Sequence, residues 1–126
     1  MAKVRLPFKA SRAADLLVLF IPSHDRDEQP IDQNEWVERA LEFLGTTFHG
    51  ATAFPKARGV WRDDERGGQL VFDEPVVIQC YTSLKLIQSK VTELGDFLKE
   101  MGKQTQQGAV AFVINGEFFE IQFPEE

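Results

Sequence analysis

Residues 54–81, FPKARGVWRDDERGGQLVFDEPVVIQCY, place two strand-like runs on either side of a polar turn, and their reading decides the fold. Val60-Trp61 on one side and Leu70-Val71-Phe72 on the other are β-branched, aliphatic or aromatic, as a pleated, half-buried surface prefers. Between them Gly67-Gly68 can take the positive φ angles of a turn. The stretch predicts a hairpin around which the rest of the chain is cover. Its first strand spans Gly50 to Arg62, but Pro55 cannot donate to a ladder, so the regular part is expected over Arg58 to Arg62. The second spans Leu70 to Tyr81 with Pro75 inside it. There Val76, Ile78 and Cys80 alternate with Val77, Gln79 and Tyr81, and the first set is expected to face the core helices.

Towards the N-terminus, Ala13 to Ile21 (AADLLVLFI) is a dense apolar run closed by Pro22. It predicts a strand buried on both faces and central in a sheet. Ser23 to Pro30 (SHDRDEQP) is polar and predicts an exposed loop. Asp32 precedes Glu35 at the spacing of a capping box, so a helix is expected to start there. Trp36, Val37, Ala40, Leu41 and Leu44 form its apolar stripe, and Gly45 is the expected stop.

Towards the C-terminus, Leu84, Ile87, Val91, Leu94, Leu98 and Met101 recur at helical spacing over five turns. Ser89 or Thr92 offers a later cap, which leaves the start of this helix open, and Gly108 is its expected end. Asn115-Gly116 is a two-residue hairpin signal between Ala109–Ile114 and Glu117–Phe123. The register follows: Ile114 opposite Glu117, Phe112 opposite Phe119, Val110 opposite Ile121. The order β-α-β-β-α-β plus a further strand predicts an α+β domain of ferredoxin-like type with both helices on one face of an antiparallel sheet. The other face would carry Val71, Val77, Tyr81, Val113 and Phe118. That is too much apolar surface to leave wet, and it predicts a homodimer through the open face.

Composition narrows the partners. A chain of 126 residues fits a single domain, 1–126, that buries roughly two-thirds of the surface its unfolded form exposes. Its 11 Phe against one Tyr make most aromatic residues core filler. A formal charge of −6 and a pI near 4.9 oppose nucleic-acid binding. Lys3, Arg5, Lys9 and Arg12 make residues 1–12 a basic arm, expected to be flexible, and leave 10 cations against 20 acids in the remainder. Leu16 to Ile21 is far too short to span a bilayer. The lone Cys80 suits a reducing compartment, so a cytoplasmic protein without a membrane or nucleic-acid partner is expected. Cys80 is placed on the core face and read as an inert thiol.

His49-Gly50-Ala51-Thr52, then Gly59-Val60-Trp61, the turn at Gly67-Gly68 and Glu74 follow the pattern G-x-T, G-x-W, glycine turn, glutamate. In this the middle third resembles a group of small uncharacterised bacterial proteins. The resemblance implies a fold class and carries no activity. No G-x-S-x-G, Gly-rich phosphate loop, C-x-x-C or H-E-x-x-H is present, so no cofactor and no metal are expected. His24, Asp25, Asp27 and Glu28 crowd one loop, but their spacing matches neither a calcium loop nor a zinc motif. His49, Arg58, Trp61, Glu74 and Tyr81 supply the side-chain types of a small ligand pocket: acid–base, anion clamp, stacking surface and carboxylate. The expected function is a non-enzymatic binding or interaction domain that dimerises through its open face and engages a protein or small ligand. Two alternatives stand beside it: a small dimeric α+β-barrel enzyme using His49 and Arg58 on an anionic substrate, and an acidic inhibitor or immunity-type protein.

Overall fold

The structure, a computed structural model, describes residues 4–11 and 14–124. Its elements run β1 (Asp15–Ile21), α1 (Gln33–Phe48), β2 (Thr52–Ala53), β3 (Gly59–Asp63), β4 (Gln69–Asp73), β5 (Val76–Thr82), α2 (Leu84–Ser89), α3 (Val91–Gln104), β6 (Ala109–Ile114) and β7 (Glu117–Gln122). Five strands form an antiparallel sheet in the order β2-β5-β1-β6-β7, and β3 pairs with β4 in a separate two-stranded sheet. The α+β class expected from the element pattern holds. The unit β1-α1-β2 leaves a gap between its two strands, and β5 fills it.

One face of the large sheet is the core face. Leu17, Leu19 and Ile21 from β1, Val76, Ile78 and Cys80 from β5, and Val110 from β6 are buried in one cluster with Trp36, Ala40, Leu44 and Phe48 of α1 and Leu94, Phe97, Leu98 and Met101 of α3. Both long helices therefore cover the same face. The aromatic side chains lock them together: Phe97 of α3 stacks on Phe43 of α1 at 4.8 Å and meets Trp36 edge-on at 6.1 Å. Helix α1 starts where the sequence indicates, with the Asp32 carboxylate accepting from the Glu35 N–H at 3.2 Å.

Several expectations need correction. The hairpin within 54–81 is not what the rest of the chain covers; the helices cover the large sheet instead. That hairpin, β3 with β4, leaves the main sheet altogether, because Pro75 ends the ladder between Asp73 and Val76 and lets the chain change direction. The single long strands expected at 50–62 and 70–81 are thus each two strands in different sheets. Strand β1 is central in the sheet, as its apolar run indicates, but it is buried on one face only, Leu17, Leu19 and Ile21 alternating with half-buried neighbours. Helix α1 runs past Gly45 to Phe48; His49, at φ 77°, returns its N–H to the Gly45 carbonyl. The second helix is divided at Lys90 into α2 and α3, Ser83 capping α2 through Leu86 N–H, and it ends at Gln104 rather than Gly108. Val71 does not belong to the open sheet face; it is buried in the small hairpin. The arm's Lys3 and Arg12, and Ala13 of the expected first strand, lie outside the described residues.

Candidate functional site

The β1–β5 ladder pairs Ile21 with Val76. Carried two and three residues beyond that pair, the same register sets Ser23 beside Glu74 and His24 beside Asp73. The small hairpin then pairs Asp73 with Gly59, which brings the preceding Arg58 to the same place. His24, Arg58, Gly59, Phe72, Asp73 and Glu74 line a cavity of about 130 Å³ where the two sheets meet. A larger depression, bordered by Asp96, Lys99, Glu100, Lys103 and Gln104, is the solvated side of one helix. It has no second wall, so the smaller cavity is the candidate site.

A buried polar network holds its floor. Gln33, the first residue of α1, donates from Nε2 to the Ile21 carbonyl at 3.1 Å and to the Glu74 carbonyl at 2.9 Å. The Glu74 N–H donates to Ser23 Oγ at 3.0 Å, and Ser23 Oγ lies 2.7 Å from His24 Nδ1. The Ser23 carbonyl accepts from Ile31 N–H, and the His24 carbonyl from Gln107 Nε2 at 2.8 Å. The segment expected as an open loop is therefore tied down at its first two residues, with Ser23 buried. Asp73 lies where a Cβ on Gly59 would meet its Oδ1, so glycine at 59 leaves room for that carboxylate. Burial pushes the Asp73 carboxyl up from its ordinary value, and the nearby His24 and a backbone hydrogen bond partly offset the rise.

Of the five residues that the sequence singled out, the structure brings Arg58 and Glu74 to this cavity. His49, Trp61 and Tyr81 are not among its lining residues. His49 caps α1, Trp61 stands half-exposed on β3, and Tyr81 points from β5 onto the open sheet face, opposite Leu16. The histidine that lines this cavity with Arg58 is His24, not His49. His24 entered the sequence reading only as a metal-ligand candidate, and Asp73 not at all. Their signal was the end of an apolar strand at Ile21 and the start of another at Val76; pairing those two ends yields both residues. Among the described residues no group of His, Cys, Asp and Glu has the arrangement to hold a metal ion, and no helix is long and apolar enough to cross a membrane.

No family profile matches the chain, and no curated protein matches it. Solved structures do. A phage SAM lyase in complex with S-methyl-5'-thioadenosine superposes with a TM-score of 0.66 at 21% identity, over 94% of this chain and 97% of that one. A phage SAM lyase in the apo state matches with a TM-score of 0.61 at 18% identity, over 97% and 99%. A Bacillus cereus protein related to NIF3 matches with a TM-score of 0.51 at 18% identity, over 89% of this chain but 28% of that one. At these identities the likeness shows the fold. It also overturns the expectation of a non-enzymatic interaction domain: the proteins that share this fold from end to end are an enzyme, and the enzyme alternative fits better.

Proposed function

We propose that the chain is a small lyase acting on SAM, S-adenosylmethionine, and that the cavity at the junction of the two sheets takes the amino-acid end of that substrate. The observation that carries this reading is the mutual coverage with the phage SAM lyase, 94% of one chain and 97% of the other. Fold alone is shared by many chemistries. Here the match runs over 94% of this chain and 97% of the lyase chain, so the framework on which that lyase acts is shared nearly end to end. The cavity's charges supply the second support. The amino-acid end of SAM carries a carboxylate, an ammonium and, three carbons away, the sulfonium. Arg58, which makes no ion pair among the described residues, matches the carboxylate with a two-pronged donor. Asp73 and Glu74 match the cations.

A volume of about 130 Å³ is below the ~300 Å³ or more of a pocket that encloses a whole small molecule, so the cavity fits a head group and the nucleoside would lie outside it. In the reaction the bond between sulfur and the four-carbon chain breaks, and its electron pair stays on sulfur. S-methyl-5'-thioadenosine then leaves as a neutral thioether that needs no proton. The carbon left behind gains its electron pair either from the substrate's own carboxylate oxygen or from an adjacent C–H bond, whose proton passes to an enzyme carboxylate. Positioning and exclusion of water are the protein's main contributions. A cytoplasmic setting, where Cys80 stays reduced, suits this reading.

Incubation of the purified protein with SAM, followed by mass spectrometry, is expected to show S-methyl-5'-thioadenosine accumulating with time. Asp73→Asn and Glu74→Gln are each expected to lower the rate at least tenfold without lowering the thermal transition. If the protein neither forms nor binds S-methyl-5'-thioadenosine, the reading is wrong.

A further inference from the structure

We propose that Ser23 is a positioning residue that holds neutral His24 in the tautomer with its proton on Nε2, so that His24 meets a ligand as a hydrogen-bond donor and not as a base. The argument is a count of protons and lone pairs. A serine hydroxyl has one proton and two lone pairs. The Glu74 N–H occupies one lone pair of Ser23 Oγ at 3.0 Å, and His24 Nδ1 lies 2.7 Å from the same oxygen. If Nδ1 carried the proton it would take the second lone pair, and the hydroxyl proton would need another acceptor. Ser23 is 8% exposed, and its hydroxyl has no further partner among the described residues. A buried donor without an acceptor is costly. Donation from Ser23 Oγ to a bare Nδ1 satisfies both groups and leaves the ring proton on Nε2.

Geometry keeps the arrangement from relaxing. The Ser23 carbonyl accepts from Ile31 N–H, the His24 carbonyl accepts from Gln107 Nε2, and Gln33 holds the Glu74 carbonyl. These bonds hold the backbone of Ser23, His24 and Glu74 in place, and a ring turned away from Ser23 Oγ would leave that buried hydroxyl without its acceptor. The consequence is chemical. In this tautomer the ring's free lone pair is used at Ser23, so His24 can offer a ligand only an N–H, in a cavity that Arg58 also lines. That pairing suits an acceptor such as a ligand carboxylate. If a substrate proton is to be removed in this cavity, Asp73 or Glu74 must take it. The inference concerns the free protein and holds whether or not the cavity turns over SAM.

Long-range proton–nitrogen NMR correlations of the histidine rings, recorded on the 15N-labelled protein where both are neutral, decide it. His49, exposed at the end of α1, is the untethered reference in the same spectrum. The expected result is that His24 is wholly in the Nε2–H form in the wild type, shifts to a mixture like that of His49 in Ser23→Ala, and returns to the Nε2–H form in Ser23→Thr. A wild-type His24 with its proton on Nδ1, or with the same mixture as His49, overturns the proposal. So does a Ser23→Ala spectrum unchanged at His24. Should Ser23→Ala fail to fold, the wild-type comparison with His49 and the Ser23→Thr spectrum still decide between these outcomes.

Discussion

At the scale of single residues, the titration of Asp73 exposes the cost of its position. Its carboxyl is raised above the ordinary value of 3.8 chiefly by burial, with His24 and a backbone hydrogen bond opposing the rise. Over the interval from 3.8 up to the raised value, the native state binds more protons at this residue than the unfolded chain does. Stability contributed by the neutral carboxyl is therefore complete below that interval and lost as pH climbs through it. Asp73→Asn removes the titration. Its urea midpoint, measured against the wild type in a pH series, is expected to gain on the wild type as pH rises through the interval and to hold that gain above it. A gain appearing as pH falls would assign the opposite sign to the site. Cys80, also raised by desolvation and fully buried, remains a packing residue, as its alternation on β5 indicates.

At the scale of elements, the β6–β7 hairpin was legible in full and the β3–β4 hairpin only in part. Asn115 and Gly116 adopt φ of 49° and 83°, and the ladder pairs Ile114 with Glu117, Phe112 with Phe119 and Val110 with Ile121 as the two-residue turn requires. Phe112 and Phe119 stack at 5.3 Å. What the turn alone did not reveal is that Asn115 also fastens the hairpin to the central strand. Its Oδ1 accepts from Leu16 N–H at 2.8 Å, its Nδ2 donates to Asp15 Oδ1 at 3.0 Å, and its backbone N–H donates to the Leu16 carbonyl at 2.8 Å. Asn115→Ala is expected to cost about 1–3 kcal/mol, from a part-buried N–H left without its side-chain acceptor and from a positive φ that alanine resists. Asn115→Gly relieves the second cost only, so its denaturation midpoint should fall between alanine and wild type. If glycine restored the full wild-type stability, the side-chain hydrogen bonds would contribute nothing. By contrast, the β3–β4 strands and their glycine turn were visible, but their departure from the main sheet was not. A proline in an apolar run is read equally as a bulge, an edge or a break, and only the pairing of Ile21 with Val76 shows which.

At the scale of the whole molecule, the sheet face opposite the helices carries Tyr81 and Phe118, each 64% exposed, with half-buried Leu16, Val18, Phe20, Val77 and Val113 between them. We propose that a second copy of the chain docks on this face, since an apolar area of this kind on a soluble domain commonly marks an interface. Sedimentation equilibrium is expected to show self-association that Phe118→Glu weakens at least tenfold without lowering the monomer's thermal transition. A wild-type protein that stays monomeric across the concentration range would sink the proposal. Val71, once grouped with this face, is buried in the small hairpin, so it makes no contribution.

Local spacing by itself determined the α+β class, the start of α1 at Asp32, the apolar stripes of the helices and the register of the last hairpin. Each of these depends on residues a few positions apart, where the period of the chain fixes which side chains share a face. The cavity was decided only by tertiary structure. Ser23 and Glu74 stand 51 residues apart in the chain, and they meet because β5 pairs with β1 in one register out of several that an apolar pattern of period two allows. The same long-range choice turned the β3–β4 hairpin out of the sheet and brought Arg58 to His24 and Asp73. A site assembled from the ends of separate strands has no spacing of its own to be read in the sequence.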